Sequence, residues 1–264
     1  GGAQPLVERV PVELSGAQGL LWANGVLYAA LNTSKPVAGL YRISDTDGDD
    51  TLDRVELLRE MRQGGEHGIH GVVLGPDGKS LYLAGGNHSP IPSPETSSVP
   101  RNYDEDQLLP RMIDSRGHAK GVKAPGGWVA RTDLDGKAFH LMAAGFRNQY
   151  DLAFNDHGEL FTYDSDMEWD LGAPWYRPTR MYHVVDGADF GWRTGSGKFP
   201  SWFSDTLPPA LDVGPGSPTG VQSGRGTRFP AKYQQAIYAF DWTYGTIYAM
   251  HPVPTGSSYI MEKE

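Results

Sequence analysis

A repeat of about fifty residues is the feature that most constrains the fold of this chain. Each copy opens with a small-residue turn and a short apolar strand, and two further strands and a more polar fourth strand follow. The second copy shows the pattern most clearly, because the apolar residues 71–74 lead into the turn residues 75–78, Gly-Pro-Asp-Gly, and then into the strand 81–84. The four copies lie at residues 19–58, 71–142, 151–185 and 236–261.

Four-stranded units at this spacing predict an all-β fold, a β-propeller of which about four blades are visible. The 34 glycines and 20 prolines supply the turns that many short strands need, and no stretch has the apolar period of a long helix. Residues 7–14 are expected to form the outer strand of a preceding blade. A β-sandwich with irregular loops is the alternative fold.

The repeat predicts that residues 1–264 form a single β-propeller domain or a fragment of one. Residues 88–126, rich in Pro, Ser and charge, are interpreted as a long insertion loop in the second blade. Residues 165–180 and 193–220 are two further insertions, rich in Trp, Pro and Gly. Long loops inside a compact repeat are usually functional or disordered, and the Trp content favours ordered packing of the later pair.

Charge and cysteine content exclude several functions. The net charge is −9 and no basic stripe is present, which argues against a nucleic-acid partner. The absence of cysteine excludes disulfides, zinc–thiolate sites, thiol catalysis and covalent c-type haem attachment within this chain. No apolar run approaches the roughly 20 residues that span a bilayer. No signal peptide is visible at the start, so we expect a mature or excised segment.

The sharpest local motif is an acidic twelve-residue loop that begins at Asp45. Its spacing is that of a calcium loop, in which oxygen ligands at alternate positions turn inward on one ion. Position six is Asp50 rather than Gly, and Asp tolerates the left-handed conformation required there. The flanks predict strands, so the loop is expected to be a calcium-stapled hairpin with a structural role; a solvated acidic turn is the alternative. The predicted ligands are Asp45, Asp47, Asp49, Thr51 through its carbonyl, Asp53 and Glu56.

Two polar segments precede the first strands of the second and third copies. His67 and His70 lie in the first of these segments, where a histidine could act as a general base at neutral pH. Arg147 and Asn148 stand in the second and offer fixed donors for a carboxylate or a quinone oxygen. The alternatives are structural histidines in the first segment and loop bracing in the second.

Two further clusters extend this pattern. Asp164, Asp166 and Glu168 alternate at a strand end and could hold a second hard cation, although solvation or ion pairing with nearby arginines is an equal alternative. Arg225 and Arg228 place cations before the predicted first strand of the fourth copy. Polar groups at equivalent positions of successive blades favour a ligand site at one end of the propeller.

Three segments resemble a known family. His67 followed eight residues later by residues 75–78, residues 145–149 followed by the strand 152–154, and the turn 186–192 resemble the quinoprotein glucose/sorbosone dehydrogenases. The order of motifs along the sequence is still more similar to that of the large bacterial "membrane-bound dehydrogenase" propeller proteins. The resemblance covers roughly residues 15–255.

This resemblance implies a six-bladed propeller of which the chain would be part, with the cofactors calcium and pyrroloquinoline quinone (PQQ). It also implies oxidation of a sugar or alcohol in the periplasm. His67 would then take the hydroxyl proton, with His70 in reserve. Arg147 and Asn148 would contact the quinone. Arg225 and Arg228 are assigned to the same cofactor site by their position in the repeat, not by the resemblance.

The leading hypothesis is therefore a periplasmic or secreted PQQ-type sugar or alcohol dehydrogenase module with a haem domain or a cytochrome as electron acceptor. One alternative is a non-catalytic, calcium-stabilised propeller that binds carbohydrate or protein, with aromatic side chains plugging its channel. Another is a metal-dependent, lactonase-like hydrolase, which requires Asp164, Asp166, Glu168 and a histidine around one ion.

Overall fold

The computed structural model describes residue 7 and residues 9–93, 96–101, 119, 121–169, 173–194 and 197–264. These residues form three antiparallel four-stranded sheets, one six-stranded sheet in which two short strands pair parallel to an antiparallel four-stranded unit, and a short two-stranded sheet. The first strands of the four large sheets lie side by side, which is a β-propeller arrangement. Helix in the described part is limited to a 3₁₀ turn at Gly65–His67 and a single turn, α1, at Ala231–Gln234. The predicted all-β propeller is confirmed. No described helix is long and apolar enough to cross a membrane.

The first two blades follow the predicted strand order. The first blade consists of β1 (Ala17–Ala23), β2 (Val26–Leu31), β3 (Gly39–Ser44) and β4 (Arg54–Glu60). The second consists of β5 (Ile69–Leu74), β6 (Ser80–Gly85), the short β7 (Thr96–Ser97), β8 (Gly127–Asp133) and β9 (His140–Phe146), with β7 pairing parallel to β9. The described part of the predicted insertion 88–126 therefore contributes an edge strand; residues 94, 95, 102–118 and 120 lie outside the described residues.

The last two blades differ from the prediction in one strand each. The third blade consists of β10 (Leu152–Phe154), β11 (Leu160–Asp164), β12 (Thr179–Val184) and its outer strand β16 (Leu211–Gly214). Between β12 and β16, the short β13 (Ala188–Asp189) pairs parallel to β9 of the second blade, and β14 (Trp192–Arg193) and β15 (Gly197–Lys198) form a separate two-stranded sheet. The fourth contains β17 (Pro218–Ser223), β18 (Ile237–Asp241), β19 (Thr246–Thr255) and β20 (Ser258–Lys263).

The first strand of the fourth blade is therefore β17, and the strand predicted as first, residues 236–242, is the second. The sequence prediction missed β17 because Pro218, Gly220 and Gln222 interrupt any apolar alternation. The predicted strand over residues 7–14 was also wrong: residues 9–16 form no strand. Val12 and Leu14 instead pack against the outer face of the first blade.

Neighbouring blades bury apolar faces against each other. Leu40 of the first blade and Leu83 of the second share one core cluster, and Phe161 of the third and Ile237 of the fourth share another. The inner strands approach so closely that a Cβ at Gly19 would lie 2.5 Å from the carbonyl oxygen of His70. Glycine at this position is thus a requirement of blade contact.

Strand direction defines two ends of the propeller. The end at which the inner strands begin and the second strands finish is called the upper end; the opposite end is called the lower end. A side-chain acceptor follows or ends each second strand at the upper end: Asn32, Asn87, Asp164 and Asp241. Each contacts a loop that leads into an inner strand, so these residues fix the upper loops.

The outer faces of the first and fourth blades carry large exposed side chains. Leu20 and Trp22 on β1 are 64% and 62% exposed, and Ile247 on β19 is 60% exposed. The faces between described blades, in contrast, are buried. These two outer faces lack the blade contact that buries the others within the described chain.

Candidate active site at the upper end

Three loops converge at the upper end of the second and third blades. They are the 3₁₀ turn before β5, residues 86–88 after β6, and residues 147–148 before β10. The backbone N–H of Asn87 donates to the carbonyl of Arg147 at 2.8 Å, and Asn148 Nδ2 donates to the carbonyl of Glu66 at 3.3 Å. The predicted base and the predicted anion-binding segment are thereby brought together.

Gly86 makes this convergence possible. A Cβ there would lie 2.6 Å from both the carbonyl oxygen of His67 and Oδ1 of Asn148. Any larger residue would push the two loops apart.

His67 is held in one orientation. Its Nδ1 lies 2.7 Å from Asn87 Oδ1, and its ring stacks on His88 with centroids 4.6 Å apart. Because the amide oxygen only accepts, Nδ1 carries the proton and Nε2 is the basic nitrogen of the neutral ring. His67 is 5% exposed, so its ring is largely shielded from bulk water.

His70 is buried more deeply and has a structural partner. Its Nε2 lies 2.7 Å from Asn148 Oδ1, and its ring stacks on Tyr150 with centroids 4.5 Å apart. Burial lowers the pKa of His70, which the hydrogen bond to Asn148 only partly offsets. A neutral, braced imidazole is the expected state, so the geometry favours His67 over His70 as a base.

Arg147 is a buried cation beside this base. Its Nη1 donates to Ser165 Oγ at 3.2 Å, and its Nη2 lies 3.6 Å from Glu168 Oε2. Asn148, in contrast, uses both ends of its amide on His70 and Glu66. Of the two predicted cofactor contacts, Arg147 therefore has the cationic group suited to an anion, and Asn148 braces the loops.

Asp164 organises the loop that carries Arg147. Its carboxylate is fully buried and accepts the backbone N–H of Arg147 at 3.0 Å, of Asn148 at 2.8 Å and of Ser165 at 2.9 Å. A carboxylate engaged by three N–H groups acts as a loop cap.

The acidic cluster predicted as a second cation site does not converge in the structure. The carboxylate of Asp164 faces backbone N–H groups, and that of Glu168 faces Arg147. Asp166 faces Tyr176: burial, and after it the charge of Asp166, raises the pKa of that phenol. The prediction is corrected because strand-end geometry directs these three side chains to different partners.

Arg225 and Arg228 are placed away from this site. They follow the inner strand β17, at its lower end, and Arg225 pairs at 3.4 Å with Asp156 in the β10–β11 turn. The predicted cofactor role of both residues is corrected, since the missed strand β17 inverted their assigned end.

The predicted calcium loop lies at the lower end, between β3 and β4. Single carboxylate oxygens of Asp45, Asp47 and Asp49 lie within 4.8 Å of one another. Hydrogen bonds from backbone N–H groups, first that of Gly48 at 2.7 Å, lower the pKa of Asp45. Asp50 has φ 67°, so it takes the left-handed conformation predicted for position six.

Two of the other predicted ligands, Glu56 and Asp53, have different partners. Glu56 pairs with Arg42 at 2.8 Å, and Asp53 accepts the hydroxyl of Thr46 at 2.8 Å. The backbone N–H of Thr51 donates to Asp49 at 2.8 Å. The structure thus groups three of the five predicted carboxylates, and the carbonyl of Thr51 stays a prediction.

Asn87, His88 and Ser165 were not predicted from the sequence. The signal for Asn87 was present, because an Asn or Asp stands at the end of every second strand once the blades are aligned. His88 and Ser165 each directly follow one of these residues, which is a signal only when the repeat register is known.

Comparison with solved structures supports the fold. The chain superposes on the PQQ-bound aldose sugar dehydrogenase of Streptomyces coelicolor with a TM-score of 0.61 and 17% identity, covering 97% of this chain and 69% of that one. It superposes on a glucose dehydrogenase with a TM-score of 0.61 and 17% identity, covering 99% of this chain and 76% of that one. It superposes on the apo-form soluble aldose sugar dehydrogenase of Escherichia coli with a TM-score of 0.53 and 13% identity, covering 90% of this chain and 67% of that one.

The shared feature is the propeller fold. At these identities the likeness is one of fold, and the chain spans about seven-tenths of the length of the Streptomyces coelicolor enzyme. No protein-family model and no curated protein matches the sequence.

Proposed function

We propose that this chain is a module of a PQQ-dependent sugar or alcohol dehydrogenase in which His67 is the base. The observation that carries the proposal is the convergence of an oriented His67 and a buried Arg147 at the upper end. The fold, shared with a PQQ-bound aldose sugar dehydrogenase, adds support. The substrate class, a sugar or an alcohol, is part of the proposal.

The donor set suits the proposed cofactor. PQQ carries carboxylates and quinone oxygens, and the Arg147 guanidinium is a buried donor that recognises carboxylates. Asn148 holds the His67 and Arg147 loops in register. When bound, the cofactor would supply the two-electron acceptor for the substrate hydride.

His67 would remove the hydroxyl proton at Nε2 as the C–H bond of the same carbon breaks. Asn87 keeps the proton on Nδ1, so that Nε2 stays basic, and stabilises the ring orientation as charge develops. His88 restrains ring rotation by stacking. A base positioned in this way contributes typically 10²–10⁴-fold to rate.

We also propose a structural calcium ion at Asp45, Asp47 and Asp49, and a periplasmic or secreted location with a haem domain or cytochrome as electron acceptor. Calcium at the lower end would rigidify the β3–β4 hairpin of the first blade.

The exposed outer faces at Trp22 and Ile247 support further blades of a six-bladed propeller, which would provide additional cofactor contacts.

A non-catalytic, calcium-stabilised propeller is the second candidate, and one observation favours it. Tyr150 stacks on His70, and its hydroxyl donates to Gln18 of the first blade at 2.8 Å. This contact lays an aromatic ring across neighbouring inner strands, as a plugged channel requires. The lactonase-like hydrolase loses support, because its ligand carboxylates are dispersed.

Calorimetric titration with PQQ, with and without calcium, tests the proposal. We expect micromolar or tighter binding that is lost in Arg147→Ala, weakened in Arg147→Lys, and unchanged in the lower-end control Arg225→Ala. A dye-linked screen of sugars and alcohols would then compare the wild type with His67→Gln. Folded protein that takes up calcium but no PQQ would instead support the non-catalytic candidate.

A further inference from the structure

The ion pair between Arg147 and Glu168 bears on which ligands the upper site accepts. The Arg147 side chain is 9% exposed, whereas that of Glu168 is 49% exposed. Their closest atoms are 3.6 Å apart, longer than the roughly 2.8 Å of a charge-assisted hydrogen bond. The buried cation therefore has a loosely held counter-ion on its solvent side.

Among the described residues, the ion-pair partner of Arg147 is Glu168, and its other neighbours direct their polar atoms elsewhere or are neutral. Ser165 Oγ, at 3.2 Å from Nη1, is neutral. The buried Asp164 carboxylate already receives three backbone N–H groups. Removing the ion-pair partner of a buried guanidinium is destabilising, so exchanging Glu168 for another carboxylate costs less than leaving Arg147 unpaired.

We propose that Glu168 is an exchangeable counter-ion of Arg147 and a specificity-determining residue, whose place is taken by a carboxylate of the ligand. This inference rests on the proposed function. An anionic ligand replaces one carboxylate by another and leaves Arg147 paired. A neutral ligand that displaced Glu168 would leave Arg147 buried and unpaired, so the site selects anionic ligands.

The test compares Glu168→Gln with the control Asp156→Asn. Both remove one negative charge, but Asp156 lies at the lower end beside Arg225. We expect Glu168→Gln to bind PQQ about three- to tenfold more tightly, because a half-exposed ion pair no longer competes. Asp156→Asn should bind PQQ as the wild type does. The neutral trimethyl ester of PQQ should show no gain with either variant.

A second readout does not depend on the cofactor. Phenylglyoxal modifies arginine side chains, and peptide mass spectrometry resolves the modification rate at Arg147. We expect Glu168→Gln to accelerate modification of Arg147 severalfold and to leave that of Arg225 unchanged.

The outcomes separate the two proposals. Unchanged or weaker PQQ binding by Glu168→Gln, together with an unchanged modification rate, would overturn the counter-ion role and leave the proposed function standing. Failure of every variant and of the wild type to bind PQQ would overturn the proposed function. In that case the modification rate at Arg147 still decides whether Glu168 shields the guanidinium.

Discussion

Replacing Asp164 with alanine should destabilise the protein even when no metal is present. The carboxylate receives three buried backbone N–H groups, from Arg147, Asn148 and Ser165. Hydrogen bonds to charged groups contribute about 1.5–3 kcal/mol each, and a buried donor left unpaired costs a similar amount. Relaxation of the loop recovers part of this sum, so we expect a loss of about 3–5 kcal/mol in the free energy of unfolding.

Asp164→Asn should be milder. The Oδ1 atom accepts from all three N–H groups, at 3.2, 2.8 and 2.9 Å, and an asparagine retains one such oxygen. A loss of about 1–2 kcal/mol is expected, since the charge is removed and Oδ2, which accepts the Arg147 N–H at 3.0 Å, is replaced by an amide donor.

The assay is urea unfolding in chelator, followed by the fluorescence of the seven tryptophans. Asp166→Ala is the control, because its carboxylate lies two residues away and faces Tyr176 instead. A loss below about 1 kcal/mol for Asp164→Ala in chelator that grows when calcium is added would refute the capping argument. That result would restore Asp164 as a metal ligand.

Three further predictions concern the base, the calcium loop and pH. Asn87→Asp should move the pH dependence of dehydrogenase activity upward, because a carboxylate favours protonated His67; an unchanged profile would show that this contact does not tune the base. Asp45→Asn should abolish calcium-induced thermal stabilisation, whereas Glu56→Gln should retain it. Calorimetry that shows the same loss of stabilisation in both variants would contradict a calcium site formed by Asp45, Asp47 and Asp49 without Glu56. Burial lowers the pKa of His70 below its usual 6.5, so its contribution to stability is present above pH 6.5 and lost as pH falls through the folded pKa. His70→Asn should therefore flatten the pH dependence of unfolding below pH 6.5, and parallel curves for the two proteins would argue against this contribution.

Local sequence was sufficient for much of the fold. Turn residues such as 75–78 and apolar strands such as 81–84 form through contacts close in the chain, and their repetition predicts a propeller. The left-handed Asp50 was predicted for the same reason, since its conformation is set by the loop around it.

The sequence analysis missed structure that depends on contacts between residues distant in the chain. The inner strand Pro218–Ser223 is a strand because it lies between the third blade and β18, where it pairs antiparallel to β18. Its sequence carries a proline, a glycine and polar residues that predict a loop equally well. Missing it placed Arg225 and Arg228 at the wrong end.

The sequence by itself determined the blade repeat, the calcium-type spacing and His67 and Arg147 as candidates, because each depends on residue type and spacing along the chain. Only the tertiary structure decided that His67 pairs with Asn87, that Asp164 caps backbone N–H groups, and that Glu168 covers Arg147. A carboxylate has the same sequence signature as a metal ligand, a loop cap or a counter-ion. Its role depends on which donors the packing of two blades brings within hydrogen-bond distance.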